Sequence, residues 1–94
     1  MPSYLVETFL GRCYAADRAA LEDRARSAAD ELTRRGNRVS FGGVIHIPED
    51  ETCFFVFRAP SSRQAALVAE LAELDPVRIV EAVTSGEENT ACTA

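Results

Sequence analysis

The sequence predicts an α+β fold whose elements run strand, helix, strand, strand, helix, strand. Three observations predict it. Four short runs alternate with a period of two, two longer runs repeat apolar residues at helical spacing, and turn residues stand between them. That order is the split βαβ pattern of a ferredoxin-like βαββαβ sandwich, a four-stranded antiparallel sheet with two helices on one face. Residues 1–83 form this single domain, and 84–94 read as a polar C-terminal tail expected to be flexible.

The first strand is expected over Ser3 to Leu10, with Tyr4, Val6 and Thr8 on one face and Leu5, Glu7 and Phe9 on the other. Gly11 ends it. From Ala16 to Arg35 the apolar residues Leu21, Ala25, Ala28, Ala29 and Leu32 recur at helical spacing, with Asp17 as N-cap and Gly36-Asn37 as the stop. A hairpin follows, VSFGGVIHI and TCFFVFRAP, joined by the acidic and exposed PEDE. Gly42-Gly43 inside its first strand hints at a bulge or at close approach by another backbone. Ser61 and Gln64 have the spacing of a capping box, and the helix they open should bury Leu67, Val68, Leu71 and Leu74 before Asp75-Pro76 ends it. The last strand is expected from Val77 to Val83.

Ninety-four residues suffice for one modest core. A net charge of −5, with ten arginines and no lysine, argues against a nucleic-acid partner, because phosphate binding needs a clustered positive surface. Cys13, Cys53 and Cys92 are odd in number and widely spaced, which indicates neither a disulfide framework nor a thiolate zinc site. No basic leader and no long apolar run is present, so a cytoplasmic protein without a membrane segment is expected. No GxSxG, Gly-rich phosphate loop or HExxH occurs.

Charged strand residues locate the face left bare by the helices. If Glu7, Arg58 and Glu81 avoid the helix layer, their strand sets form the open face, with Leu5, Phe9, Val44, His46, Phe54, Val56, Ile79 and Val83. Tyr4, Val6, Val39, Phe41, Ile45, Cys53, Phe55, Phe57, Val80 and Ala82 then make the core. In strand order 4-1-3-2 this brings Glu7 near both Arg58 and Glu81. Two carboxylates beside an arginine would serve either as a structural ion-pair network or as a ligand or cation site. His46, the sole histidine, would join Glu7 or Glu81, or a symmetry mate, in a metal site of mixed nitrogen and oxygen ligands. Cys53, on the core side, reads as inert packing.

The combination of YLVE at residues 4–7, PEDETCFFVFRAPS at 48–61 and RIVEAV at 78–83 resembles a family of small bacterial proteins catalogued as a domain of unknown function. Some of its members are described as nickel-binding proteins with a dimeric ferredoxin-like fold. The resemblance covers residues 3–83 and rests best on Glu7, the Ala59-Pro60 corner and Glu81. It implies the same fold, a homodimer, and a divalent metal such as nickel. The family pattern has Ser-Tyr where Val44-Ile45 stand here, and cysteine where Phe55 stands.

The leading functional expectation is a small dimeric binding protein that receives a metal ion or a small ligand at Glu7, His46, Arg58 and Glu81 on the open face. Two others stay open. One is an enzyme of the dimeric α/β-barrel kind, moving a proton with Glu7, His46 or Glu81 in an interface pocket. The other is a structural or interaction module without a ligand.

Overall fold

A computed structural model describes residues 1–11 and 17–83. Cys13, Cys92 and the tail from residue 84 lie outside the described residues. The elements are β1 (Ser3–Phe9), α1 (Arg18–Arg34), β2 (Ser40–Ile47), β3 (Thr52–Arg58), α2 (Ser62–Leu71) and β4 (Arg78–Ala82). All strand pairs are antiparallel and the sheet order is β2-β3-β1-β4, so the ferredoxin-like α+β expectation holds. No helix of the described residues is long and apolar enough to cross a membrane.

The core lies between the sheet and the helix layer. From the sheet come Tyr4, Val6, Cys53, Phe55 and Phe57, which alternate with outward residues as a period of two requires. From α1 come Ala25, Ala28, Ala29 and Leu32, the expected stripe. From α2 come Ala65, Val68, Ala69 and Ala72 at i, i+3, i+4 and i+7, with Leu74 just beyond the helix. Leu67 and Leu71, expected inside, are exposed. Mostly small residues face the sheet on both helices, so the helices lie close to it, and the bulky leucines Leu67 and Leu71 of α2 turn outward beside Leu32 of α1 and Arg35 at its C-cap.

Both helices end in the same way. In α1, Asn37 N–H donates to Leu32 O at 2.8 Å and Gly36 N–H to Thr33 O at 3.1 Å, with Gly36 at φ +95°. This is the Schellman motif that Gly36-Asn37 predicts. In α2, Leu74 N–H donates to Ala69 O at 3.0 Å and Glu73 N–H to Glu70 O at 3.0 Å. Here the left-handed position is held by Glu73, at φ 58°. Arg24 of α1 reaches across to the same end, its Nε donating to Ala72 O at 2.9 Å and its Nη2 to Glu73 O at 2.7 Å. A cation is thereby placed on the carbonyls at the negative end of the α2 dipole. At the start of α2, Ser61 Oγ donates to the Gln64 side-chain oxygen, so the two residues of the expected capping box meet side chain to side chain rather than through the backbone. Asp17 stands at the α1 N-cap without a side-chain bond to the helix.

A left-handed residue with a Cβ costs about 1–2 kcal/mol, and glycine gives back part of that through its larger unfolded-state entropy. Glu73→Gly is therefore expected to raise stability by about 0.5–1 kcal/mol in urea unfolding. A loss of stability would contradict the assignment of this cap.

Candidate functional site on the open sheet face

The central event in the sheet is a bulge. Phe41 pairs with Phe57, but Gly43 pairs with Val56, so Gly42 and Gly43 together oppose a single residue of β3. Gly43 adopts φ +123°, a conformation that residues with a Cβ rarely take. One extra residue in a strand reverses the face of everything after it. Val44 and His46 therefore stand on the helix side, opposite Phe55 and Cys53, while Ile45 and Ile47 stand on the open side, opposite Phe54 and Thr52. This corrects the sequence expectation, which carried an unbroken alternation through the two glycines and placed Ile45 in the core. Ile45 is 52% exposed, and Val44 packs against the core in its stead.

The last strand is reversed as well. Tyr4 pairs with Glu81, Leu5 with Val80, Val6 with Ile79 and Glu7 with Arg78. Residues directly opposite in an antiparallel pair share a face. Ile79 thus joins Val6 in the core, Glu81 leaves on the face of Tyr4, and Arg78, Val80 and Ala82 belong to the open face. The premise that a carboxylate avoids the helix side fails at a short edge strand, where Glu81 stays exposed to water although it points to the helix side.

The four residues expected to form one site are therefore divided. Glu7 alone among the strand carboxylates lies on the open face, and its partner is Arg78, with Arg78 Nε donating to Glu7 Oε1 at 2.7 Å. Arg58 pairs in register with Ser3, four positions along the strands from Glu7, a separation of roughly 13 Å at the rise of a strand. His46 is across the sheet. Its Nε2 lies 3.4 Å from Leu10 O, and its Nδ1 is buried without a hydrogen-bond partner among the described residues. The Cys53 thiol opposite His46 is pushed up by burial, against a smaller lowering by the Arg18 charge, so it is held as a thiol rather than a thiolate.

These placements bear on the metal that the family resemblance implies. A divalent ion would need Glu7, His46 and Glu81 to converge, or two of them to meet symmetry mates. Glu7 is already neutralised by a guanidinium, while His46 and Glu81 leave from the other face. Among the described residues no group of three His, Cys, Asp or Glu side chains is arranged to hold a metal ion. Within one chain the described residues therefore do not converge on a metal site of the kind the nickel reading requires.

What the open face does carry is an apolar surface around one ion pair. Leu5, Phe54, Val56, Val80 and Ala82 are half-buried, and Phe9, Ile45 and Ile47 are exposed. The Glu7 side chain retains 21% of its accessibility and that of Arg78 retains 65%. The carboxylate is thus mostly covered while its partner reaches into solvent. Sequence reasoning placed Glu7 on the open face, where it lies, and missed Arg78, whose signal is its place at the start of the last strand, beyond the Pro76 break. In a single chain this pair should be modest. Arg78→Ala is expected to lower stability by about 1 kcal/mol or less, because the guanidinium is largely in water. Denaturant unfolding at concentrations low enough to leave single chains checks this. A loss above about 3 kcal/mol there would mean that the pair is already desolvated within one chain.

No family model, curated protein or solved structure was found to match this chain.

Proposed function

We propose that this chain is a small cytoplasmic binding module that works as a homodimer, its two open sheet faces packed on one another with a small organic ligand held against the Glu7–Arg78 pair. The observation that carries this reading is the apolar open face, with Leu5, Phe54, Val56 and Val80 on all but one of the strands, and Ile45 on the remaining one. Four strands about 4.8 Å apart and about seven residues long present a projected face on the order of 400 Å2. The apolar part of that face is comparable with the largest patch on a typical soluble protein, and such a patch is often functional. A two-fold contact is self-complementary, so an apolar face with a polar pair toward one edge suits a second copy of itself. The same pair is the kind of polar handle that fixes a ligand's orientation in an otherwise apolar site.

Dilution from millimolar to micromolar concentration, followed by amide NMR, tests the reading. Shifts are expected at Leu5, Phe54, Val56 and Val80, with the amides of α1 and α2 unchanged. Shifts confined to the helix layer would overturn it.

A further inference from the structure

A cleft of about 630 Å3 lies between the C-terminal half of α1 and the start of β2, away from the Glu7–Arg78 pair. Its volume is in the range of small-molecule sites, roughly 300–1,000 Å3. The floor is fixed by packing and hydrogen bonds. Thr33 Oγ1 donates to Val39 O at 2.7 Å and accepts from Val39 N–H at 3.3 Å, which ties the end of the helix to the chain entering the strand. Phe41 is held against Phe57 and Phe55, with ring centroids 5.4 and 6.5 Å apart. The Arg26 guanidinium lies over the Phe41 ring at 5.4 Å from its centroid, a cation–π arrangement that places a charged, planar group in the cleft.

The walls reverse the sign of the chain. Arg26, Arg34 and Arg38 line the cleft against the single carboxylate of Asp30, in a protein whose net charge is −5. Their commitments differ. Arg34 is engaged by Glu31 one turn earlier and sits on the helix end, where the dipole favours a cation. Arg26 has Asp23 at 3.7 Å, with both side chains more than half exposed, so this pair holds it weakly. Arg38 has no carboxylate partner among the described residues, and it stands outside the helix where neither dipole nor ion pair accounts for it.

The geometry points to this cleft as a binding site for a small organic phosphate bearing a flat ring, the chemistry of a nucleoside monophosphate. Arg38 takes the phosphate, which a guanidinium fork matches with two parallel hydrogen bonds. The ring stacks on the Arg26 guanidinium that Phe41 supports. The inference is independent of the dimer, since it uses none of the open-face residues.

Titration of the full chain with adenosine 5′-monophosphate, adenosine and inorganic phosphate at low salt, read by amide NMR, tests it. The monophosphate is expected to bind saturably, at least about tenfold tighter than either adenosine or phosphate alone, with shifts at Ser40 and Phe41. Arg38→Glu should weaken it at least about tenfold with an unchanged melting temperature, and Arg26→Ala should remove the advantage of the monophosphate over inorganic phosphate. Adenosine binding as tightly as its monophosphate, indifference to Arg38→Glu, or no saturable binding would each overturn the inference.

Discussion

Val56→Asp is expected to abolish self-association, weakening it at least about a hundredfold and leaving single chains or non-specific aggregate. Val56 lies on β3, an inner strand, opposite Leu5 on one side and Gly43 on the other, so it is central to the open face rather than at its rim. Burying a valine side chain fully contributes about 1.5–3 kcal/mol, and a two-fold contact loses that contribution twice. An aspartate there must also shed its hydration against an apolar partner surface. The fold of the single chain should survive, because in one chain this side chain points toward water and the core on the helix side is untouched. Light scattering reads the mass, and circular dichroism the fold. Ala66→Asp on the exposed side of α2 serves as the control, with no expected effect on mass.

The second large effect is expected at the bulge. Gly43→Val places a β-branched side chain at φ +123°, and holding a residue in so sparsely populated a conformation costs of order 1–3 kcal/mol. The chain has one way to relieve the strain, which is to expel the extra residue and let β2 run in unbroken alternation. That exchange would carry Val44 and His46 out of the helix side and turn Ile45 inward, so it forfeits packing instead. Either way a loss of about 1–3 kcal/mol or more is expected in urea unfolding. A stability equal to that of the parent chain would show that β2 does not contain the bulge.

Those two glycines also mark where the sequence stops being legible. The order of elements and most of the core followed from periodicity, because Tyr4, Val6, Phe55 and Phe57 obey a period of two within single uninterrupted strands, and the sheet order followed from the usual topology of that element order. A bulge can be suspected from Gly-Gly, but which residues pair across it is a tertiary fact, and one residue of uncertainty there decides the face of His46. The last strand failed for a different reason. RIVEA is apolar or charged on both alternations, so the strand pattern alone does not choose between them. The choice depended on treating Glu81 as unwelcome on the helix side, whereas the end of a five-residue edge strand lies beyond the cover of the helices. Glu7 was legible because β1 is an inner strand with a clean alternation. Its partner was not, since Arg78 and Arg58 are separated by register alone. In α2, leucine content drew the expected stripe toward Leu67 and Leu71, but close approach of helix to sheet favours alanine, and the helix turns accordingly.

The open sheet face is the working surface proposed for this chain, with a second copy of the chain covering it. Sedimentation equilibrium of the full chain over micromolar concentrations tests this most directly. A reversible species of twice the 10.2 kDa chain mass is expected, lost in Val56→Asp and kept in Ala66→Asp. A single species of 10.2 kDa throughout that range would contradict it.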